Sequence, residues 1–189
     1  MTQNLLKFIE IEEFKKILSE EKNKEFKLAY VLAFGSGLRI SEIVGYKGKS
    51  RKKNKATGEI IESENEIPAL TKDKIDLDKH QIRIEYAKRG KQRITVTSPW
   101  LNKSNMELLP LTIPRRTLQG HFTRLCKKVL GKNLNFHTLR HGFANYMAND
   151  KNIPLPMVQQ MLGHSRLDTT GIYTRANPVK TIQTAWESF

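Results

Sequence analysis

The most informative stretch of the sequence is residues 137–173, which read HTLRHGFANYMANDKNIPLPMVQQMLGHSRLDTTGIY. Apolar residues recur at helical spacing over 137–149 and again over 154–162, where Gly163 follows as a helix-ending residue. A short segment at 168–175 then carries a tyrosine. The stretch therefore predicts a helical region, and its polar residues are the first candidates for chemistry.

His137 and Arg140 form the first candidate pair. They are three residues apart, so on a helix they share a face, and we expect them to point outwards while Leu139 and Phe143 point inwards. A guanidinium beside an imidazole suits a phosphodiester, because arginine binds two non-bridging oxygens and histidine donates a hydrogen bond or moves a proton. Many helices carry such a pair on their surface, so this motif is weak evidence by itself.

His164 and Tyr173 are the next candidates. His164 stands in Leu-Gly-His-Ser, just after the predicted helix end, where backbone N–H groups at the start of another helix bind anions readily. Tyr173 follows nine residues later. A phenol with a pKa of ~10 is a poor nucleophile unless a base or a positive field assists it. A capping histidine and a packed tyrosine are the ordinary interpretations of each residue taken alone.

The N-terminal part of the chain is predicted to be helical and contains another arginine motif. Helices are indicated over 10–20, 25–36 and about 40–44. The segment Gly-Leu-Arg-Ile-Ser-Glu places Arg39 after a glycine break and Glu42 three residues further on. A surface Arg–Glu pair is the alternative interpretation, and such a pair contributes little stability.

The next segment changes in charge. Residues 47–55 are rich in basic side chains and contain no acid, whereas residues 59–66 are acidic. This pattern predicts a projecting loop, or a hairpin turning near Thr57-Gly58. The basic run is either mobile and solvated or in contact with phosphates, and both interpretations stay open. Its basic residues are Lys47, Lys49, Arg51, Lys52, Lys53 and Lys55.

From residue 74 to residue 97 the apolar period changes to two, which predicts three short strands in a small antiparallel meander. The strands are marked by Ile75 and Leu77, by Ile82 and Ile84, and by Ile94 and Val96, with turns at 78–80 and 88–90. A helix is then predicted from 112 or 113 to 130, and a last one from 178. The predicted fold class is α+β and mainly α-helical, with a small three-stranded antiparallel sheet.

The composition favours a nucleic-acid partner. The 189 residues include 33 Lys and Arg against 19 Asp and Glu, a formal net charge of +14. Such an excess costs self-repulsion unless a polyanion is near, although a basic protein tuned for solubility is the alternative. The single cysteine, Cys126, allows no intramolecular disulfide. The sequence shows no secretory signal and no apolar run of the ~18 residues that a membrane span needs, so we expect a cytoplasmic protein without membrane contact.

Taken in order, the motifs resemble the tyrosine recombinase (integrase) family. The order is Gly-Leu-Arg-Ile-Ser-Glu, a lysine-bearing β-turn, His-Thr-Leu-Arg-His, Leu-Gly-His-Ser and then the tyrosine, and the resemblance runs from about Phe8 to Tyr173. It implies the family's catalytic-domain fold over 1–177, with an inserted basic loop or hairpin at 46–66. It also implies a helix at 178–189 that docks on its own domain or on a neighbouring protomer. The family's N-terminal core-binding domain is expected to be absent.

The resemblance implies a catalytic role for six residues. They are Arg39, Lys88, His137, Arg140, His164 and Tyr173. By this resemblance, Tyr173 attacks a DNA phosphorus and forms a 3′-phosphotyrosyl link, while the two arginines hold the phosphate oxygens. Lys88 protonates the leaving 5′-oxygen, His137 accepts the tyrosine proton, and the second histidine donates a hydrogen bond to the phosphate.

Other residues are expected to support the site or to bind DNA. Glu42 resembles a support for the first arginine, His141 resembles a structural histidine, and Lys91 is the alternative to Lys88 as the general acid. We assign DNA contacts to basic residues of the 47–55 segment and of the region around the last predicted turn. These are Lys47, Lys49, Arg51, Lys52, Lys53, Lys55, Arg89, Lys91 and Arg93.

The resemblance also implies partners. Double-stranded DNA is the expected substrate, with a homo-oligomer, a tetramer, assembled on it, and no small-molecule substrate. Transesterification keeps the bond energy in the covalent link, so no ATP, metal or other cofactor is expected. The spacing of the histidines and Cys126 matches no usual zinc pattern.

Three other functions stay open. They are a type IB topoisomerase-like enzyme, a non-catalytic basic DNA-binding regulator and an RNA-binding module, although the last lacks an aromatic platform motif. The choice between an integrase and a Xer-type resolvase also stays open, as does the target sequence, because base contacts and DNA shape leave no simple trace in a chain.

Overall fold

The computed structural model describes residues 8–53, 58–85 and 92–163. In these ranges the helices are α1 (Ile11–Glu20), α2 (Lys24–Gly35), α3 (Ile40–Ile43), α4 (Lys103–Met106), α5 (Arg115–Leu130), α6 (His137–Asn145) and α7 (Leu155–Leu162). The strands are β1 (Tyr46–Lys53), β2 (Ile60–Ile67), β3 (Ile75–Asp76), β4 (Gln81–Ile84) and β5 (Arg93–Val96). A 3₁₀ turn covers Lys72–Lys74, and a π-helical turn covers Tyr146–Asp150 directly after α6. The fold class is α+β and mainly helical, as predicted.

Helix α2 is the centre of the helical core. The Asn23 side chain accepts two backbone N–H groups of its first turn, which fixes where the helix begins. All residues from 28 to 35 are buried, so this part of the helix is enclosed on every side. Phe34 stacks on Phe14 of α1, with ring centroids 4.1 Å apart. No helix in the described ranges has the length and apolar character needed to cross a membrane.

Helix α6 lies directly against α2. Gly142 makes this close approach possible, because a Cβ atom there would lie 2.5 Å from the Ile9 carbonyl oxygen and 2.7 Å from the Phe34 ring. Leu139 and Phe143 are fully buried, as predicted. The packing therefore fixes the first turns of α6, which carry His137 and Arg140, relative to the N-terminal helices.

Glycines end α5 and α7, as the sequence predicts. Gly131 and Gly163 adopt the left-handed conformation, with φ of 66° and 64°. The helix predicted as continuous over 137–149 is divided instead, because a π-helical turn replaces α-helix from Tyr146. Helix α4 was not predicted. The predicted helical segments at 168–175 and 178–189 lie outside the described residues.

The strands form two antiparallel sheets. β1 pairs with β2 from Tyr46 opposite Ile67 to Lys53 opposite Ile60, so this segment is the hairpin rather than the irregular loop. β3, β4 and β5 are hydrogen-bonded neighbours in chain order, which confirms the predicted three-stranded meander.

The inward face of β5 differs from the prediction. Ile94, expected to mark the apolar face, is 52% exposed, whereas Arg93 and Thr95 are buried. A strand buries every second residue, so burial of Arg93 turns Ile94 outwards. The reason lies in the partner that Arg93 finds on α3.

Candidate active site

Arg140 joins three distant parts of the chain. It projects from α6, donates from Nη1 to the carbonyl oxygen of Gly37, and donates from Nη2 to the carbonyl oxygen of Leu162 at 2.6 Å. Gly37 stands just before α3 and Leu162 is the last residue of α7. The guanidinium therefore connects α6 to the segment before α3, through Gly37, and to the end of α7, through Leu162.

The prediction that Arg140 points outwards was wrong. The residue is 2% exposed and is among the largest fully buried side chains. A buried guanidinium is tolerable only when its N–H groups find acceptors, and the carbonyl oxygens of Gly37 and Leu162 provide them. The helical spacing was right, but the partners that draw the side chain inwards lie far away in sequence.

Arg39 and Glu42 form the first turn of α3. The Glu42 carboxylate accepts the backbone N–H of Arg39 at 2.7 Å and its Nη1 at 2.9 Å. The Arg39 side chain is 23% exposed, whereas that of Glu42 is 1% exposed. The contact between Glu42 and the first arginine is therefore present, and the Arg39 side chain stays partly exposed.

Arg93 makes a second and tighter ion pair with Glu42. Its Nη1 and Nη2 each donate to one carboxylate oxygen at 2.7 Å, and its Nε donates to the carbonyl oxygen of Met161 at 2.8 Å. Burial raises the pKa of Glu42, but the hydrogen bonds and charge of Arg93, followed by the charge of Arg39, lower it to about 2. Glu42 is therefore ionised throughout the physiological pH range.

The assignment of Arg93 to DNA contact was wrong. Its side chain is 3% exposed and its guanidinium is bound by Glu42 and Met161, so it does not reach a DNA phosphate. The sequence shows only that Arg93 and Ile94 lie on opposite faces of the strand. Because Ile94 is apolar, its face was predicted to be the buried one, which placed Arg93 on the exposed face.

His137 and His141 lie one helical turn apart on α6. Their rings meet edge-on with centroids 4.5 Å apart. The residue His137 is exposed overall, but protein atoms around its ring reduce the solvation of the charged imidazolium. This desolvation, followed by the positive charges of His141, Arg140 and Arg39, lowers the pKa of His137 to about 4. Burial and the charge of Arg140 also lower the pKa of His141. His137 is therefore a neutral imidazole at pH 7, close to both arginines.

A cavity of about 300 Å³ opens beside His137. Residues from α3, α5 and the start of α6 line it, and Arg115 and Gln119 contribute polar groups from α5. The recess beside His137 is therefore lined in part by one cationic side chain, that of Arg115. In the described ranges, no group of three or more His, Cys, Asp or Glu side chains is placed to hold a metal ion.

The His137 pKa gives a prediction that is independent of activity. In NMR titration of the free chain, the His137 ring is expected to titrate near pH 4, far below the ordinary 6.5. Arg39→Gln removes one positive charge and should raise this pKa. Because the folded-state pKa is the lower one, protonation opposes folding, so this residue costs stability as pH falls from about 6.5 towards 4. The His137→Gln spectrum identifies the resonance, and a wild-type midpoint near 6.5 contradicts the prediction.

The structure brings together only part of the predicted site. Arg39, His137 and Arg140 converge, with Glu42 and His141 beside them. The other three candidate catalytic residues, and some of the basic ones, lie outside the described residues. These are Lys55, Lys88, Arg89, Lys91, His164 and Tyr173. In the described part of the chain, Arg93 begins β5 shortly after residues 86–91, and Gly163 directly precedes His164 in the sequence.

The basic strand of the hairpin faces an acidic one. In the β1–β2 register Lys47 lies opposite Glu66, Lys49 opposite Glu64 and Arg51 opposite Glu62. The Lys47 Nζ lies 3.8 Å from the Glu66 carboxylate. Opposite charges at directly paired positions stabilise a hairpin, and they also offset each other's field. The charges of Lys47 and Lys49 are therefore partly offset by glutamates on the paired strand.

The fold and the site define a class of protein, namely a helical α+β domain in which two arginines lie close to a neutral histidine, with a recess beside the histidine. The sequence model of the phage integrase family matches residues 64–179, which is more than half of the chain. This chain belongs to the phage integrase family.

Curated relatives agree with this membership. The chain is 29% identical over 155 residues to tyrosine recombinase XerD of Rickettsia conorii, a match that covers 76% of this chain and 49% of the relative. It is 29% identical over 191 residues to tyrosine recombinase XerA of Pyrococcus horikoshii, covering 92% of this chain and 58% of the relative. The chain thus spans about half the length of the curated relatives that it matches.

Solved structures show the same fold. The crystal structure of XerA recombinase matches with a TM-score of 0.67 at 17% identity, over 100% of this chain and 65% of that one. The catalytic domain of bacteriophage HP1 integrase matches with a TM-score of 0.63 at 17% identity, over 96% of this chain and 94% of that one. XerH bound to its palindromic difH substrate matches with a TM-score of 0.61 at 21% identity, over 97% of this chain and 54% of that one.

Proposed function

We propose that this chain is the catalytic part of a site-specific DNA recombinase, which cleaves and rejoins strands through a 3′-phosphotyrosyl intermediate. The observation that carries the proposal is the contact of Arg140 with the Gly37 carbonyl, because it brings the second arginine to a point two residues before Arg39. Two fixed guanidinium groups beside a neutral histidine fit a phosphodiester in which charge develops on the non-bridging oxygens.

The described residues divide the work of phosphate binding. Arg39 is partly exposed and contacts the phosphate oxygens directly. Arg140 is buried and held by two carbonyl oxygens, so its charge acts from a fixed position in a low-dielectric region, where electrostatic effects are strong. His137 is neutral at pH 7, so a ring nitrogen is unprotonated. The negative charge of a phosphate bound beside it would raise its pKa and make it a stronger proton acceptor.

The proposed reaction balances without an external energy source. The Tyr173 phenol oxygen forms a bond to phosphorus as its proton passes to His137, and the bond from phosphorus to the 5′-oxygen breaks. Lys88 gives its proton to the leaving 5′-oxygen, and His164 donates a hydrogen bond to the phosphate. The 5′-hydroxyl of a partner strand then attacks the phosphotyrosyl link and returns the tyrosine. We propose that this transfer needs no metal or ATP and that it occurs in a homo-oligomer, a tetramer, on double-stranded DNA.

The test is covalent trapping. The full chain is incubated with a library of duplexes of varied sequence, nicked so that the released 5′ fragment diffuses away, and protein–DNA adducts are isolated under denaturing conditions. Sequencing the attached ends gives the target. Recovery of one recurring sequence joined through its 3′ end supports the proposal. Absence of adducts at every protein concentration contradicts it and favours a non-catalytic DNA-binding protein. Adducts on many sequences, with plasmid relaxation but no strand exchange, favour a topoisomerase-like enzyme.

The hairpin gives a prediction about DNA affinity. We propose that β1 contacts phosphates only in part, because each of Lys47 and Lys49 faces a glutamate. Replacing both by glutamine should reduce the slope of log affinity against log salt by about one, less than the ~1.8 that two full phosphate contacts give. Fluorescence anisotropy with labelled duplex at several salt concentrations measures this slope.

The acidic strand provides the matched control. Glu64→Gln with Glu66→Gln removes the opposing charge, so binding should tighten and the salt slope should steepen. If both double variants keep the wild-type slope, the hairpin is a solvated element that does not contact DNA.

A further inference from the structure

We propose that Arg93 is a positioning residue that fixes the first arginine and the end of α7 with one guanidinium group. This proposal rests on the proposed function, because it assigns Arg93 an effect on Arg39 and on the segment that follows Leu162. Arg93 touches no reacting atom in this proposal. It acts through Glu42 and through a main-chain carbonyl group.

The first link runs through the Glu42 carboxylate. One carboxylate oxygen accepts Nη1 of Arg39 at 2.9 Å and Nη1 of Arg93 at 2.7 Å, and the other accepts the Arg39 backbone N–H and Nη2 of Arg93, both at 2.7 Å. The carboxylate is thus shared between an arginine that reaches the site and one buried beneath it. Without Arg93 a buried carboxylate would have lost its main partner, and a protonated Glu42 would no longer hold the Arg39 guanidinium with a full charge.

The second link runs to the end of α7. Nε of Arg93 donates to the Met161 carbonyl oxygen at 2.8 Å, and Arg140 donates to the next carbonyl oxygen, that of Leu162, at 2.6 Å. Gly163 follows in the left-handed conformation, and a Cβ atom there would lie 2.7 Å from Cδ of Arg93. Arg93 therefore packs against Gly163, the residue directly before His164 in the sequence.

Arginine is required for both links at once. The two Nη groups donate side by side to the Glu42 carboxylate, while Nε donates to the Met161 carbonyl oxygen. All three nitrogens of the planar guanidinium are therefore needed. A lysine carries the same charge but offers one nitrogen. Arg93 also begins β5, so its anchoring fixes the start of that strand.

The experiment compares Arg93→Gln and Arg93→Lys with Arg83→Gln, an exposed arginine of the neighbouring strand β4 that loses the same charge. Single-turnover adduct formation is measured on a nicked duplex and on the same duplex with a methylphosphonate at the scissile position, which removes one negative oxygen. The Arg39→Gln variant is the reference. It shows how far the loss of rate caused by removing the first arginine shrinks when the phosphate lacks that negative oxygen.

We expect Arg93→Gln to slow adduct formation roughly 10²-fold on the phosphate substrate, as misplacement of a catalytic group does. The defect should shrink on the methylphosphonate in parallel with that of Arg39→Gln. Arg93→Lys should fall between Arg93→Gln and wild type, and Arg83→Gln should match wild type. An Arg93→Gln rate equal to wild type overturns the proposal, and so does an equal loss on both substrates while Arg39→Gln is rescued, since that pattern means general destabilisation.

A second measurement does not depend on activity. In wild type the low pKa of Glu42 keeps it ionised, whereas in Arg93→Gln this pKa should rise above its ordinary value, because burial then dominates. A raised folded-state pKa stabilises the folded chain as pH falls. The unfolding-midpoint difference between Arg93→Gln and wild type should therefore shrink from pH 7 to pH 5, and a constant difference overturns the link to Glu42. If wild type forms no adduct, the proposed function fails, while this titration still decides whether Arg93 controls Glu42.

Discussion

Tyr173→Phe is expected to abolish covalent attachment of the chain to DNA while leaving its DNA affinity within about twofold of wild type. The phenol oxygen is the atom that joins phosphorus in the proposed reaction, and phenylalanine has no oxygen to take its place. The ring itself is kept, so packing and charge are unchanged. The measurement is adduct formation on the trapped target duplex, with affinity measured separately by anisotropy.

Tyr146→Phe is the matched control for this substitution. Tyr146 begins the π-helical turn after α6, and its ring packs near Phe34 with centroids 6.2 Å apart, so the same hydroxyl is lost at a site with no proposed role in the chemistry. It should form adducts at the wild-type rate. Adduct formation by Tyr173→Phe would show that another residue is the nucleophile.

Arg140→Met is expected to have the second largest effect, and it should act on both chemistry and stability. Loss of a fixed cation at the phosphate typically costs ~10²–10³ in rate. The carbonyl oxygens of Gly37 and Leu162 would lose their buried donors, which should lower the free energy of unfolding by about 1–3 kcal/mol. Urea denaturation measures the stability, and single-turnover cleavage at low temperature measures the rate of the folded fraction.

The exposed Arg124 of α5 provides the control for stability. Arg124→Gln removes a charge at the surface, so it should change the free energy of unfolding by less than about 0.5 kcal/mol. Arg140→Lys separates charge from geometry, because it keeps one positive charge and loses the two-sided contact. If Arg140→Met is as stable and as active as wild type, the contacts with Gly37 and Leu162 have neither of the proposed effects.

Local patterns predicted the elements of this fold well. Helix ends at Gly131 and Gly163 followed from the conformational freedom of glycine, and the change of apolar period at residue 74 located the three-stranded sheet. The contact between Arg39 and Glu42 was also local, since the two residues belong to one helical turn.

The sequence could not predict the burial of the other two arginines. Arg93 is drawn inwards by a carboxylate 51 residues earlier, and Arg140 by a carbonyl oxygen 103 residues earlier. Periodicity reports which positions share a face, but it does not report which face finds an ionic partner. At β5 the apolar Ile94 predicted that its own face would be buried. The ion pair of Arg93 with Glu42 buries the opposite face instead.

The long separation between Arg140 and Gly37 has a consequence for the newly made chain. A polypeptide emerging from the ribosome completes α3 about one hundred residues before Arg140 is added, so the first arginine is synthesised long before the second joins it. Partly folded or incompletely translated chains therefore lack the paired cations. If the chain acts as proposed, its capacity to cleave DNA would arise only when residues near 140 have packed against Gly37.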